Sequence, residues 1–228
     1  MTLYFRHPAI GGEFEFGVSA APVVSPKGVY RRFAKRALDL LCVCLLFVPV
    51  MLVVAVLAIL VMIDGGRPFY SQDRLGQNGR RFRMWKLRSM VVDADARFDA
   101  YLAANPAARE EWERTQKLRN DPRITAIGKI IRKTSLDELP QLWNVLRGEM
   151  SLVGPRPMMV NQRALYPGTA YYAMRPGITG YWQTSARNDT SFSERALFDT
   201  AYFREMSFGT DLRILWRTVD VVMRGTGY

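Results

Sequence analysis

Histidine is nearly missing from this chain: His7 is the only one in 228 residues. That excludes a Ser-His-Asp triad and any metal centre built from several imidazoles. Cysteine is almost as scarce. Cys42 and Cys44 lie one residue apart inside an apolar run, a spacing that offers neither a disulfide framework nor a zinc site. There is no Walker A loop and no G-x-G-x-x-G turn, so kinase-like and dinucleotide-binding readings have no support. Acidic residues are few beside basic ones, 21 Asp+Glu against 32 Lys+Arg, a formal charge of +11. Chemistry in such a chain must rest on carboxylates, arginines, lysines and any metal ion they recruit.

What is present describes a folded, anion-seeking protein. Apolar residues make up 49% and aromatics 12%, which rules out a disordered chain. The length suits one domain, or a domain with a small appendage. A basic excess of this size implies an anionic partner: nucleic acid, phosphorylated small molecules or an anionic membrane surface.

Leu40 to Ile63 is a run of 24 residues without a charge. As a helix it would cover about 36 Å, enough for a hydrocarbon core of roughly 30 Å. It is not a cleavable signal peptide, because some forty residues precede it and no small-residue cleavage site follows. Pro49 divides the run, and a helix there is expected to kink or break near Val48. Lys27, Arg31, Arg32, Lys35 and Arg36 lie upstream. Residues 65–90 hold Arg67, Arg74, Arg80, Arg81, Arg83, Lys86 and Arg88 against a single acid, Asp73. Basic flanks prefer the cytoplasmic side. A straight span would export one cluster, whereas a re-entrant hairpin keeps both inside, and the hairpin is the favoured reading over a kinked span.

Residues 1–26 are rich in Gly, Pro and Ser without a sustained period and read as a loose tail. Phe69 to Leu75 and Arg80 to Met90 flank Gly76-Gln77-Asn78-Gly79, and Asn-Gly between strand-like runs predicts a hairpin. Asp93 to Leu118 reads as helical with an interruption at Asn105-Pro106. Near Ile124 to Lys133, Ile127, Ile130 and Ile131 share one helical face, with Lys129, Arg132 and Lys133 outside it. Such a basic amphipathic helix suits an anionic membrane surface or a protein core, and Leu212 to Met223 has the same character.

The chemistry-bearing segment is Thr134 to Gln141, which sets Asp137 and Glu138 side by side just after Arg132 and Lys133. Pro140 is tolerated only in a first turn, so a helix is expected to begin around Leu136 to Glu138. Carboxylates at a helix start are kept ionised by the dipole and can act as nucleophile or hard-metal ligand. The competing reading is an S-x-x-E capping box from Ser135 to Glu138, although Pro140 then falls at the fifth helical position. Gly154-Pro155-Arg156-Pro157 stiffens the backbone around one guanidinium suited to a phosphate, or is a rigid loop with an incidental arginine. Trp85 to Met90 adds Lys86 and Arg88 on a predicted strand. Arg175 to Gly180 reads as a turn before Tyr181 and Trp182, aromatics that suit base stacking or, more commonly, a core.

Four blocks occur in order: Lys86-Leu-Arg-Ser-Met90, Arg132 through Leu136-Asp-Glu-Leu-Pro-Gln141 to Gly148, Met150 through Gly154-Pro-Arg-Pro157, and Arg175-Pro-Gly-Ile-Thr-Gly180. Together they resemble the bacterial sugar transferases, monotopic phosphoglycosyl transferases acting on polyprenyl phosphate. The resemblance runs from about Tyr30 to the C-terminus. It implies a re-entrant membrane helix broken at a proline, and an α+β, mostly helical fold with interfacial amphipathic helices and a small β-hairpin or sheet. The parts expected are a flexible tail over 1–29, the membrane helix over 30–66 and a cytoplasmic catalytic domain over 67–228. The place implied is the bacterial inner membrane.

The resemblance also implies a reaction. Asp137 would attack the sugar-bearing phosphate of a UDP-hexose, expel UMP and hold a phosphosugar that undecaprenyl phosphate then takes up. Asp137 and Glu138 would be catalytic, Glu138 with Asp137 would hold Mg²⁺, and Arg132, Arg156, Lys86 and Arg88 would bind substrate phosphate. Phosphoryl transfer needs charge neutralisation more than proton chemistry, which suits a chain with so little histidine. Glu149 stands where many relatives have Asp. The C-terminal region, from Tyr181-Trp182-Gln183 to Arg187 and Phe192 onward, resembles shorter members that prime exopolysaccharide synthesis with glucose or galactose phosphate. Longer relatives carry further N-terminal helices, for which no room is expected here. The partners implied are the two substrates and the bilayer, with no nucleic acid; a homodimer is compatible. Two other classes compete. Asp93-Ala94-Asp95 fits the D-x-D of a metal-dependent glycosyltransferase releasing UDP, although it reads better as charges capping a helix. The other is a non-catalytic basic module anchored to the membrane.

Overall fold

A computed structural model describes residues 28–113, 118, 121–185 and 192–224, and the backbone of 2–6, 13–17 and 114–115. His7 and Arg187 lie outside the described residues. Within the segment read as a loose tail, β1 (Thr2–Arg6) and β2 (Glu13–Gly17) pair antiparallel, Thr2 facing Gly17 and Arg6 facing Glu13. Glu13-Phe-Glu-Phe alternates over only a few residues, too short a period to stand out.

A π-helical turn over Tyr30–Ala34 leads into α1 (Lys35–Ile63). The helix runs through Pro49 without interruption, so of the kink or break expected near Val48 the break does not occur. Proline has no N–H to give the Leu45 carbonyl, and hydrogen bonds on either side carry the helix across. From Tyr30 to Ile63 the chain is long and apolar enough to cross a membrane. Leu45, Val48, Leu52, Val56 and Ile63 are exposed.

After α1, β3 (Phe69–Leu75) and β4 (Arg81–Leu87) are neighbours in a sheet of order β4-β3-β6, where β6 is Met158–Met159. The expected hairpin turn is there: Asn78 and Gly79 both take left-handed backbone, φ 59° and 73°. β6 pairs antiparallel with β3 through Arg74–Met159 and Leu75–Met158. Two compact units divide the chain. The first draws on residues up to Phe47, Gln72–Met84 and Gln141–Arg224; the second holds Val48–Ser71 and Trp85–Pro140.

In the first unit are α5 (Gln141–Leu146), β5 (Ser151–Val153), β7 (Gly177–Thr179), α6 (Tyr181–Ser185), α7 (Arg195–Glu205) and α8 (Phe208–Met223). β5 and β7 are parallel, Ser151 beside Gly177 and Val153 beside Thr179. A hydrophobic cluster gathers Leu75, Met158, Tyr166, Tyr171 and Ala196. The start of α1 is fastened by buried charge. Lys35 Nζ lies 2.8 Å from Asp211 and 3.3 Å from Asp39. Asp39 accepts from Ser151 Oγ at 2.8 Å and the Leu152 N–H at 3.1 Å. Tyr30 and Tyr202 donate to Asp211 at 2.6 and 2.7 Å. Arg36 donates to the carbonyls of Val145 and Leu146, which end α5. Buried carboxylates survive when every oxygen has a donor, and these two are supplied by tyrosine, serine, lysine and backbone.

In the second unit are α2 (Ala94–Ala104), α3 (Pro106–Thr115) and α4 (Ala126–Lys133). Asn105 is extended between α2 and α3, as the Asn-Pro pair predicted. Val54, Ala58 and Val61 lie on one face of α1 and pack with Leu87 and Ile131; Ile127, Leu136 and Leu139 close the cluster. The expected apolar face of α4 is therefore narrower than three isoleucines. Ile131 is fully buried and Ile127 partly so, whereas Ile130 is 63% exposed.

Candidate active site

The chemistry-bearing residues of the second unit sit where β4, the end of α4 and the turn after it meet. Along β4 the side chains alternate faces: Leu87 enters the core and Lys86 faces away from it. α4 ends at Thr134, and Ser135 then takes left-handed backbone at φ 56°. Leu136–Glu138 form one 3₁₀ turn. Leu136 and Leu139 both pack on the core, which anchors the turn and leaves Asp137 and Glu138 to meet Lys86. Lys86 Nζ is 2.7 Å from Glu138 Oε1 and 3.3 Å from Asp137 Oδ2. No hydrogen bond among the described residues occupies Asp137 Oδ1.

This geometry settles the reading of the motif. The capping box is not made, because Ser135 has left-handed backbone and its side chain caps nothing. The α-helix begins at Gln141, so Pro140 stands just before it, where its missing N–H is harmless. Asp137 is also not simply held ionised by a helix start. Burial pushes its carboxyl above the ordinary aspartate range; Lys86 opposes this, Glu138 adds to it, and Arg132 opposes it more weakly.

Arg88 does not join the carboxylates. It lies just past β4 and donates to the carbonyls of Val61, Gly65, Arg67 and Met90. It thereby satisfies orphan carbonyls at the end of α1, as cations at helix C-termini do. Asp93 and Asp95 are exposed at the start of α2. Asp93 is the N-cap residue of α2 and Asp95 lies in its first turn, where charges capping a helix are expected, although Asp93 has left-handed backbone and makes no side-chain cap bond.

In the first unit, Gly154-Pro-Arg-Pro157 is clamped to β7. The Gly154 N–H donates to Thr179 at 2.8 Å and the Gly177 N–H to Pro155 at 2.8 Å. The contact is glycine against glycine. A Cβ on Gly177 would stand 2.1 Å from the Gly154 nitrogen, and one on Gly180 would stand 2.1 Å from the Gly154 oxygen. This close approach explains why the GPRP and RPGITG blocks need their glycines. Arg156 is presented from this stiff loop, its guanidinium 5.6 Å from the ring centre of the buried Trp182. Arg195 reaches the same ring at 4.1 Å. Burial, and after it the charge of Arg156, lowers the Arg195 pKa to about 10. No motif marks Arg195 in the sequence. Its place beside Trp182 emerges only once α7 is set against α6.

Asp137 and Glu138 are hard oxygen donors drawn to one ammonium, a set suited to a hard divalent cation completed by phosphate oxygens and water. Among the described residues no three His, Cys, Asp or Glu side chains form a metal-holding group.

Residues 30–225 match the bacterial sugar transferase family. The chain is 45% identical over 199 residues to the exopolysaccharide production protein ExoY of Rhizobium meliloti, covering 85% of this chain and 87% of ExoY. It is 46% identical over 198 residues to the UDP-galactose-lipid carrier transferase of Erwinia amylovora. It is 45% identical over 198 residues to the undecaprenyl-phosphate galactose phosphotransferase of Salmonella typhimurium. Each of these two alignments covers 86% of this chain, which spans only 42% of either relative's length. The chain belongs to the bacterial sugar transferase family.

The opposing charges around Asp137 predict its titration. Carbodiimide labelling of the protonated carboxyl, read by mass spectrometry across pH, should persist at Asp137 above the pH where exposed aspartates lose it. Glu138→Gln removes an upward influence and should shift the midpoint down, while Lys86→Met removes a downward one and should shift it up. A midpoint matching the exposed aspartates in all three proteins would contradict the account.

Proposed function

We propose that this chain transfers hexose 1-phosphate from a UDP-hexose to undecaprenyl phosphate, releasing UMP, as the first membrane step of exopolysaccharide synthesis. The observation that carries the reading is the Asp137–Glu138 pair, mostly buried and bridged by Lys86, within the family's motif. Names of relatives supply the lipid carrier and favour galactose as the sugar. Glucose is the other hexose expected.

In the first half-reaction, a carboxylate oxygen of Asp137 bonds to the sugar-bearing phosphorus. The phosphoanhydride bond breaks, and its bridging oxygen leaves with the electron pair on UMP. In the second, a phosphate oxygen of the lipid attacks the same phosphorus and restores the carboxylate, leaving a lipid diphosphate sugar. The attacking Asp137 must be ionised, and Lys86 and Arg132 favour that form against burial. Lys86 has a second use, since its ammonium is strongly placed to offset the charge of incoming phosphate. Arg132 and Arg156 are assigned donor phosphate by their places in the motif. Glu138, with Asp137, would hold Mg²⁺, which when bound would neutralise phosphate charge. We keep Arg88 as the brace for the end of α1 rather than as a phosphate ligand.

The same proposal places α1 as a re-entrant element of the inner membrane with the remainder cytoplasmic. The basic residues on both flanks of the apolar run, Lys35 and Arg36 before it and Arg67 to Arg88 after it, support that reading, because both flanks then stay on the cytoplasmic side. Helix α8 would lie in the interface. Phe208, Leu212, Trp216, Val219 and Met223 are exposed at spacings of three and four residues, and Arg213 lies beside them. An exposed stripe with a tryptophan and flanking arginine suits the headgroup boundary of an anionic bilayer.

The product test uses full-length protein in nanodiscs with undecaprenyl phosphate, Mg²⁺ and separate UDP-hexoses. UMP should form with one sugar, and Asp137→Ala should lower turnover at least a thousandfold, the order seen when a covalent nucleophile is removed. UDP as the product, or substantial turnover by the alanine variant, would refute the mechanism. For α8, brominated phosphatidylglycerol should quench Trp216, and Trp216→Phe should remove that part of the quenching. Equal quenching in both proteins would show that α8 stays in water.

A further inference from the structure

Arg195 and Arg156 pose an electrostatic question that the fold does not answer by itself. Both guanidiniums face the indole of Trp182, at 4.1 and 5.6 Å from its centre, and Arg195 also lies 4.9 Å from the ring of Phe192. Each is only partly exposed. Two like charges set against one indole in a partly desolvated place repel each other, and Arg156 is indeed one of the influences that disfavour charge on Arg195. Among the described residues neither arginine makes an ion pair with a carboxylate. Asp199, four residues along α7, is buried and receives the Tyr166 hydroxyl at 2.6 Å. It attracts Arg195 at longer range. Stacking orients a guanidinium while leaving its N–H edge available, and a pair so held matches the oxygens of a phosphate.

We propose that Arg195 is a further substrate-binding residue, acting with Arg156 as a phosphate-binding pair set against the Trp182 ring. This assignment rests on the phosphoglycosyl transfer reading for its substrates, though the pair's affinity for phosphate does not. The phosphate has two sources, the nucleotide sugar and the lipid acceptor, and kinetics separates them.

The experiment compares wild type, Arg195→Gln and Arg195→Lys as full chains in nanodiscs. Arg195→Gln should raise the KM of one substrate about ten- to a hundredfold, the range for losing a charge-assisted hydrogen bond, and change kcat less. A rise confined to the UDP-hexose assigns the pair to the donor; a rise confined to undecaprenyl phosphate assigns it to the acceptor. Arg195→Lys should recover part of the loss because the charge remains. Unchanged KM values for both substrates, or a loss of kcat with a lowered melting temperature and no change in KM, would overturn the assignment. Titration with inorganic phosphate, followed by tryptophan fluorescence, reads the pair without turnover. Wild type responding and Arg195→Gln failing to respond would support the pair even if no UDP-sugar were a substrate. Equal responses in both would overturn it.

Discussion

A single ammonium between two adjacent carboxylates is the interaction on which the candidate site depends. Lys86 lies within 3.3 Å of both Asp137 and Glu138, and all three side chains are mostly shielded from water. Breaking one buried ion pair by removing a partner costs about 3–5 kcal/mol in general, because a charge is left uncompensated. Here Lys86 lies against both carboxylates, and the local chain brings the three together. Ser135 takes left-handed backbone, two leucines anchor a tight turn, and Pro140 ends the turn where α5 begins. The same shielding pushes Asp137 toward its neutral form while Lys86 holds it back. A nucleophile toward phosphorus must be ionised, and at Asp137 the charge of Lys86 favours that form while burial opposes it.

The first unit follows a different rule, close backbone approach. Gly154, Gly177 and Gly180 let two loops touch without side chains, and Arg156 is presented from the stiffened segment between two prolines. Charge is buried there too, but in satisfied networks. Asp39 and Asp211 collect donors from tyrosines, a serine, a lysine and backbone, so they fasten α1 rather than react. The contrast separates scaffold from chemistry. Asp39 and Asp211 have their oxygens met by hydroxyls and backbone as well as by Lys35, whereas Asp137 and Glu138 share the ammonium of Lys86.

Much of this was legible in the sequence. The apolar run, the Asn-Gly turn, the interruption at Asn105-Pro106 and the family blocks all have local causes, and local causes show in one dimension. The fate of individual side chains does not. Lys86 and Arg88 are two residues apart with the same charge, yet one meets the carboxylates and the other caps α1, because strand β4 ends between them. Ser135 fits a capping box by spacing and fails by backbone angle. Ile130 shares a helical face with Ile131 on paper, but the core reaches only as far as Ile127 and Ile131. Arg195 had no signal at all, since its meaning depends on an indole thirteen residues away in sequence.

The central claim is that Asp137 becomes covalently joined to a phosphosugar. Its most direct test is intact-protein and peptide mass spectrometry after incubation with UDP-hexose and Mg²⁺ in the absence of lipid acceptor. The account predicts a hexose phosphate added to the peptide containing Asp137, discharged when undecaprenyl phosphate is supplied. UMP formation that requires both substrates together, with no adduct on any residue, would contradict it.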